Sequence, residues 1–506
     1  MTALGVNLLR RGYVLLVLMV LPIVIAQALA EAWVGDFWEH AAVIRELARH
    51  PVHPDNPLLA VSAPHALSSP YAVGLALLTR ATGLDPLQAL SAVALFNLAL
   101  FCVSFRAFVR VFYANWLVPM VALMFTLVLW GRNPLEWSGF YHLQNISNVM
   151  PYPSTFALSL SFVGLSMASS YLKTGLIRLL LPLALIVFTV ILTHPPTSVF
   201  LACGLISIVI WLFNAKQVSR TIALTSAVLA GSILSLIWPY YPILGLLLSE
   251  STAYNSDNIQ MYSNAIPSML PALLGLPVIV ERSLRNRREP LLIFLLLLST
   301  VYVYGFLADK FAYGRVISQI TLILHLALAG WLTCKLKVLF QKRGPHDWRI
   351  TTRMALTCSC IALVLWQSFP GIHSFASKVR HTNATTTQKY RFQFLAGLLH
   401  DEDVVMADPV TAQYVPAWGG KVVTWPFSMP FIIDRDTRTR DVATFFASGT
   451  NADTRSRLAE KYAAKWVLMD VRDTEERAAE ASIVSLGEEV YTADGGSLVL
   501  IRLRPT

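Results

Sequence analysis

Charged residues are scarce in this sequence. Only 14% of its 506 residues are Asp, Glu, Lys or Arg, whereas 55% are hydrophobic. A water-soluble protein of this length carries about 25% charged residues. The shortage excludes an ordinary soluble protein and indicates that much of the chain meets lipid. The net charge of +10 fits this reading, because lysine and arginine accumulate in the cytoplasmic loops of membrane proteins. Since membrane topology accounts for the positive charge, no nucleic-acid partner is predicted.

Cysteine is also rare, and its placement excludes two kinds of site. The five cysteines lie in or beside apolar segments and form no CxxC pair: Cys102, Cys203, Cys334, Cys358 and Cys360. Disulfides and zinc–thiolate sites are therefore not expected. The histidines show no HxxxH or HExxH spacing, so no metal site is predicted. No motif requires a cofactor, and a divalent cation remains an alternative that no ligand spacing supports.

Long apolar runs dominate what is present. Runs long enough to cross a bilayer occur at 12–30, 87–109, 113–131, 153–172, 177–193, 196–213, 221–240, 268–281, 290–307, 315–334 and 353–370. No small-residue cleavage site follows the first run, which indicates an uncleaved span rather than a signal peptide. The sequence thus predicts a polytopic α-helical membrane protein with about eleven transmembrane helices.

The lysines and arginines near the ends of these runs predict the orientation. Six basic clusters fall on one side if the eleven helices alternate strictly. This places the protein in the inner (plasma) membrane, with the N-terminus cytoplasmic and residues after about 371 extracytoplasmic. The apolar stretch 66–82 then becomes an interfacial or re-entrant helix within a long first outer loop, residues 31–86.

The last part of the chain has a different character, with dense charges and short apolar runs. Residues 404–408 and 466–470 are typical of buried strands, 455–464 has helical spacing, and 490–502 predicts a closing hairpin. We therefore expect two domains. Residues 1–370 form the transmembrane domain, and 371–506 form a small extracytoplasmic α/β domain with some parallel strands.

Asp36 is the most unusual polar residue, because it follows the first span directly. Helical spacing places Asp36, Glu39 and His40 on one face. One interpretation is an N-cap at Asp36 with Glu39 as its capping-box partner. The other is a general base in an outer cavity.

Arg315 begins the tenth predicted span at its outer end, where positive charge is not favoured. A snorkelling arginine is one interpretation. The other is an anion site, since an arginine at a helix N-terminus is mismatched to the helix dipole unless an anion is bound. His194 lies between the fifth and sixth spans, either as a turn residue or as part of the same polar face. His325 falls within a span and is expected to be packed and hydrogen-bonded.

These features together resemble the GT-C superfamily of polyprenyl-phosphate-sugar glycosyltransferases, which includes aminoarabinose transferases and protein O-mannosyltransferases. The resemblance rests on Gly35-Asp36, on Tyr313-Gly314-Arg315, on His65 to Tyr71 as the start of a second interfacial helix, and on the overall architecture. It implies a membrane glycosyltransferase that moves a sugar from a polyprenyl-phosphate donor to a glycan, lipid or protein acceptor, with inversion.

The resemblance also implies a role for each candidate residue. Asp36 would be the general base. Arg315, with Lys310, would bind the donor phosphate. Glu39, His40, His65 and His194 would position the acceptor.

Two other functions remain open. A lipid or polysaccharide flippase would place its functional groups near the bilayer midplane, on broken helices. A non-catalytic subunit of an envelope-glycan assembly complex would use Asp36 only as a helix cap.

Overall fold

The computed structural model describes residues 3–248 except 32, 34, 132 and 133, then 258–341 and 388–504 except 428, together with 362, 366, 373 and 376. Its chain is that of a multi-pass membrane protein. Within the described residues, eight helices are long and apolar enough to cross a membrane: Gly12–Ala30, Pro86–Phe112, Pro153–Thr174, Pro195–Leu212, Ala215–Ser235, Ala265–Arg285, Pro290–Leu307 and Phe311–Lys335. Leu117–Val128 and Ile177–Thr193 are shorter apolar helices.

These helices coincide with ten of the predicted apolar runs. The remaining run, 353–370, lies outside the described residues, so the count of eleven stays a prediction. The predicted helix within 66–82 is present as Pro70–Thr82, and a second helix of the same loop is Phe37–Arg49.

The chain divides into two compact units. The first unit comprises Met1–Leu29, Ala92–Ile237 and Asn255–Asn383. Its helical elements are Ala3–Ala30, Pro86–Phe112, Leu117–Val128, Ile146–Val149, Pro153–Thr174, Leu180–Thr193, Pro195–Leu212, Val218–Ser235, Gln260–Ser263, Ala265–Met269, Gly275–Arg285, Pro290–Leu307 and Ile317–Gln341. Short 3₁₀ turns cover Ile177–Leu179, Ala215–Gln217, Leu270–Leu274 and Phe311–Val316.

Aromatic packing and small residues hold the first unit together. Phe162 stacks on Phe108 with ring centroids 4.8 Å apart, and Phe200 packs on Phe294 at 4.9 Å. A Cβ at Gly204 would lie 2.7 Å from Leu165 Cδ1, so glycine lets these two helices approach closely without moving that side chain. Helix Phe311–Lys335 is almost entirely buried. His325 Nε2 lies 2.7 Å from the Leu129 carbonyl, which confirms a packed, hydrogen-bonded histidine.

The second unit comprises Ala30–Ser91, Trp238–Tyr254 and Ala384–Thr506. Its strands are β1 (Val404–Ala407), β2 (Lys421–Val422), β3 (Ala464–Asp470), β4 (Gly487–Ala493) and β5 (Leu498–Leu503). Its α-helices are Phe37–Arg49, Pro70–Thr82, Ile243–Leu248, Gln388–Phe392, Pro409–Ala412, Val415–Trp418, Arg435–Phe446, Ala452–Lys461 and Thr474–Val484. Two 3₁₀ turns, Gln393–Gly397 and Asp494–Gly496, complete it.

The sheet has the order β2-β1-β3-β5-β4. β1 pairs in parallel with β2 and β3, and β5 pairs antiparallel with β3 and β4. The predicted strands, parallel pairing and closing hairpin are confirmed. The predicted helix 455–464 begins earlier, because the Asn451 side chain caps it through the backbone N–H of Thr454. It ends before Ala463, whose φ of +50° is outside the helical region.

The first loop and the C-terminal domain belong to one unit because the loop joins the sheet. Leu59 forms a parallel bridge with Val422, and the Val422 N–H donates to the Leu58 carbonyl at 2.7 Å. The loop therefore extends the sheet beyond β2.

Candidate active site

Helix Phe37–Arg49 carries the candidate base and is fixed by its aromatic start. Gly35 has a φ of +72°, a left-handed turn that glycine adopts without strain, and it turns the chain into the helix. Trp33 stacks on Phe37 with centroids 5.0 Å apart and donates its indole N–H to Ser91 Oγ at 2.9 Å. On the opposite side Trp38 packs edge-on against Tyr414, at 5.3 Å.

Asp36 occupies the N-cap position of this helix, but its side chain makes no capping hydrogen bond. The capping-box interpretation is therefore wrong, and its proposed partner Glu39 is engaged elsewhere. The Asp36 side chain is 56% exposed, with Oδ2 lying 3.9 Å from His40 Nε2. An accessible carboxylate beside an imidazole is an arrangement that suits a general base.

Glu39 is buried and faces two aromatic partners. Its Oε1 lies 3.3 Å from His65 Nε2, and its Oε2 accepts a hydrogen bond from the Trp425 indole at 3.3 Å. The Leu67 backbone N–H donates to His65 Nδ1, so this nitrogen carries no proton. The proton of His65 is consequently on Nε2, directed at Glu39. His65 holds Glu39 from within the first loop, and the hydrogen bond from Trp425 links this loop to the C-terminal domain.

His40 is buried directly after Glu39 on the same helix. Burial lowers its pKa below the usual value, against the opposing effects of Asp36 and Glu39. His40 is therefore neutral at physiological pH. A neutral imidazole beside Asp36 can accept or donate a hydrogen bond without neutralising the carboxylate charge.

The other end of the helix is held by a buried ion pair that the sequence did not predict. Lys421 Nζ lies 3.1 Å from Glu46 Oε2 and donates to the Asn56 carbonyl at 2.6 Å. Burial opposes ionisation of Glu46, but Lys421 and hydrogen bonds from His50 and Asp55 outweigh it and lower the pKa of Glu46.

Asp401 makes a second, more exposed ion pair with this helix. It pairs with Arg45 at 3.1 Å and with Arg49. The candidate base thus begins a helix whose other acidic and basic side chains are held by fixed partners of the second unit.

The first unit contains a small cavity of about 20 Å³. It is lined by Ser138, Gly139, Tyr141, Ser154, Leu158, His194, Pro196, Thr197, Arg315, Ser318 and Gln319. Two of the predicted site residues, His194 and Arg315, therefore meet at one place. Lys310 is exposed and is not among the residues that line the cavity.

Arg315 lies in the 3₁₀ turn Phe311–Val316, directly before helix Ile317–Gln341. Its Nε donates to Asn258 Oδ1 at 2.9 Å, and its guanidinium lies 5.2 Å from the centre of the Trp137 ring. Arg315 thus lines a cavity of the first unit, and both interpretations of it, snorkelling and anion binding, stay predictions. It adds its charge to the positive end of the helix, which is a favourable place for an anion.

His194 fulfils the turn role and also lines the cavity. It ends helix Leu180–Thr193 and precedes helix Pro195–Leu212, and its Nδ1 lies 2.7 Å from Thr197 Oγ1. His194 is therefore both a turn residue between two helices and a residue of the cavity lining.

Two further polar residues of the cavity were not predicted from the sequence. Ser154 and Gln319 are 3% and 8% exposed. Among the residues that the structure describes, Ser154 Oγ and Gln319 Oε1 have no hydrogen-bond partner. Buried polar atoms without partners are costly. Gln319 Oε1 can accept a hydrogen bond from a ligand hydroxyl, and Ser154 Oγ can donate or accept one. Small polar residues are common in spans, and the sequence carries no signal that separates these two from the rest.

No group of three or more His, Cys, Asp or Glu side chains that could hold a metal ion occurs in the described part of the chain.

Comparison with known proteins gives a consistent result at the level of fold. No protein-family model and no curated protein matches this sequence. The structure of ArnT from Cupriavidus metallidurans in the apo state aligns over 97% of this chain and 98% of its own, with a TM-score of 0.54 at 14% identity. ArnT is a GT-C glycosyltransferase. This chain has a GT-C fold.

A second protein with a GT-C fold supports the same assignment. The oligosaccharyltransferase of Archaeoglobus fulgidus, tethered to an acceptor peptide containing the NVT sequon, aligns over 96% of this chain and 74% of its own, with a TM-score of 0.51 at 13% identity. ArnT bound to undecaprenyl phosphate aligns over 97% of this chain and 98% of its own, with a TM-score of 0.50 at 12% identity. The GT-C fold thus extends along nearly the whole chain, and the resemblance noted in the sequence is confirmed for the fold.

Proposed function

We propose that this chain is a membrane glycosyltransferase that transfers a sugar from a polyprenyl-phosphate donor to an acceptor hydroxyl. The observation that carries the proposal is the cavity of the first unit, where Arg315 and His194 meet two unpartnered polar atoms within a GT-C fold. Two neighbours in fold support the substrate classes, since ArnT was solved with undecaprenyl phosphate and the oligosaccharyltransferase with an acceptor peptide.

In this proposal Arg315 binds the phosphate of the donor. The guanidinium donates charge-assisted hydrogen bonds to the phosphate oxygens, and these strengthen as the phosphate takes on negative charge. Lys310, which lies close to Arg315 in the sequence, adds positive charge. His194, Ser154 and Gln319 supply hydrogen bonds to the remaining polar groups of the ligand.

Asp36 acts as the general base. Its carboxylate takes the proton of the acceptor hydroxyl, and the oxygen attacks the anomeric carbon from the face opposite the phosphate. The bond between this carbon and the phosphate oxygen breaks, and its electron pair leaves with polyprenyl phosphate. One displacement inverts the anomeric centre. Glu39, His40 and His65 hold the acceptor side of the site, with neutral His40 beside Asp36. No cofactor takes part in this scheme.

The composition of the second unit supports the proposed topology. It contains residues 30–91, 238–254 and 384–506, which must lie on one side of the membrane because they pack together. Segments on the same side of a membrane must be separated by an even number of spans. Six predicted spans separate the first two segments and four separate the last two, so both numbers meet this condition. The fourth of the latter group is 353–370, outside the described residues. We assign this side to the cell exterior, from the distribution of basic residues.

The test is the turnover of a panel of polyprenyl-phosphate sugars by the protein reconstituted in lipid. Asp36→Asn should lower transfer by about 10²–10⁴-fold, the usual contribution of a general base, while binding of undecaprenyl phosphate stays unchanged. Asp55→Asn is the matched control, because Asp55 is an exposed carboxylate of the same loop. Full transfer by Asp36→Asn would refute the catalytic role. Translocation of the donor without transfer would favour a flippase instead.

A further inference from the structure

Two segments of the second unit expose apolar side chains at the protein surface. Helix Ile243–Leu248 exposes Leu244, Leu247 and Leu248, by 54%, 56% and 79%. Ile433, in the loop before helix Arg435–Phe446, is fully exposed. Such residues are normally shielded from water when they cluster.

The two segments that carry these exposed residues lie against each other at one point. Gly245 lies against Phe431, so that a Cβ on the glycine would sit 3.6 Å from ring carbon Cε1. Leu244, Leu247 and Leu248 have the spacing of one helix face, and Ile243 is buried on the other side. Every residue of this helix is apolar or glycine, and Leu244, Leu247 and Leu248 are the ones turned outward.

The surroundings of the helix indicate what covers this face. The span Ala215–Ser235 ends a few residues earlier, and Trp238, Tyr240 and Tyr241 follow it. Tryptophan and tyrosine concentrate where a membrane meets water. Two of these aromatic residues are hydrogen-bonded to the first loop. The Trp238 indole N–H donates to the Ser68 carbonyl, and the Tyr240 hydroxyl donates to the Pro51 carbonyl.

We propose that Leu244, Leu247, Leu248 and Ile433 insert into the acyl region of the bilayer, so that the C-terminal domain rests on lipid through the loop at Ile433. Arg435 follows two residues later, and an arginine beside an apolar anchor reaches the phosphates of the lipid headgroups. This contact is independent of the glycosyltransferase chemistry.

The experiment is site-specific photocrosslinking in lipid nanodiscs with a benzophenone amino acid at position 433. Ile433 is fully exposed, so the bulky residue is compatible with folding, which size-exclusion chromatography checks. Position 247 gives a second site on the proposed surface. Position 410 is the matched control, because Val410 is an aliphatic residue of the same unit with 68% exposure on helix Pro409–Ala412.

We expect lipid adducts by mass spectrometry at 433 and 247 and none at 410. An absence of lipid adducts at 433 would overturn the proposal, whatever position 247 shows. Crosslinks from 433 to a second copy of the chain would overturn it as well, and would identify the surface as a protein interface. Lipid adducts at 410 equal to those at 433 would show that the loop makes no specific lipid contact.

Discussion

The two candidate regions differ in how their buried oxygen atoms are satisfied, although Trp38 Nε1 and Arg45 Nε of the second region also lack a hydrogen-bond partner among the described residues. In the cavity of the first unit, the buried atoms Ser154 Oγ and Gln319 Oε1 have no partner among the described residues. In the second unit, the buried carboxylates of helix Phe37–Arg49 all have partners: Glu39 has His65 and Trp425, and Glu46 has Lys421. Only Asp36, at the start of that helix, remains half exposed with no capping bond.

This difference separates binding from positioning. A cavity whose polar atoms are left unpaired gains hydrogen bonds when a ligand enters. A helix whose charges are already paired gains nothing from a ligand, but it can hold one reactive group in place. We therefore expect substitutions in the cavity to weaken ligand binding and substitutions around the helix to weaken the structure.

The largest effect is expected for Lys421→Met, which leaves Glu46 buried without its cation. Removing one partner of a buried ion pair costs about 3–5 kcal/mol. Chemical unfolding in detergent, followed by protease resistance of the C-terminal domain, measures this loss. Lys461→Met is the control, because its pair with Asp441 is exposed. Replacing Glu46 by Gln in the Lys421→Met background should recover part of the stability, and no loss in the single variant would contradict the positioning role.

Arg315→Ala should weaken binding of polyprenyl phosphate with little change in stability. A hydrogen bond to a charged group contributes about 1.5–3 kcal/mol, which corresponds to roughly 10- to 150-fold in affinity. Microscale binding measurements with undecaprenyl phosphate give the affinity. Arg178→Ala, an exposed arginine of the same unit, should bind normally. Equal affinities for the two variants would remove Arg315 from the site.

Ser154→Ala and Trp425→Phe form a matched pair of conservative substitutions, one in each region. The first removes an unpartnered hydroxyl, so the protein should be as stable as before or more so, with ligand affinity lower by about 0.5–1.5 kcal/mol. The second removes the N–H that binds Glu39, so stability should fall while ligand affinity holds. Thermal unfolding with and without undecaprenyl phosphate distinguishes them. The reversed pattern would contradict the division into binding and positioning regions.

The smallest effect concerns pH and His40. Its pKa is lowered in the folded protein by burial, so the unfolded chain binds a proton at a higher pH than the folded chain does. Stability is therefore lost as the pH falls below about 6.5, the usual histidine value. His40→Gln should reduce the drop in melting temperature between pH 7.5 and 5.5. His53→Gln is the control and should leave that drop unchanged, because His53 is exposed. An unchanged drop in His40→Gln would contradict the burial of the His40 imidazole.

Sequence patterns predicted the elements of this fold better than its contacts. The long apolar runs and the short apolar runs at 404–408 and 466–470 are local signals, and the helices and strands formed at those positions. The bridge of Leu59 to Val422 and the pair of Glu46 with Lys421 join segments hundreds of residues apart. Tertiary packing alone determines them, so the fusion of the first loop with the C-terminal domain could not be predicted.

Two residues of the candidate site could be predicted because each carries a charge at a position where charge is unfavourable. Arg315 stands out because a cation at the N-terminal end of a helix is mismatched to the helix dipole unless an anion is bound, and Asp36 because a carboxylate follows a span directly. Ser154 and Gln319 give no such signal, since their importance lies in lacking a partner. The capping-box interpretation of Glu39 failed for a related reason. Its true partners, His65 and Trp425, are brought together only by the fold.

The most direct test is a structure of the Asp36→Asn variant with a polyprenyl-phosphate sugar bound in a nanodisc. We expect the donor phosphate within hydrogen-bond distance of the Arg315 guanidinium. We also expect the side chain at position 36 to face the anomeric carbon, with space between them for only an acceptor hydroxyl. A donor phosphate bound away from Arg315, or an anomeric carbon that residue 36 does not face, would contradict the proposed function.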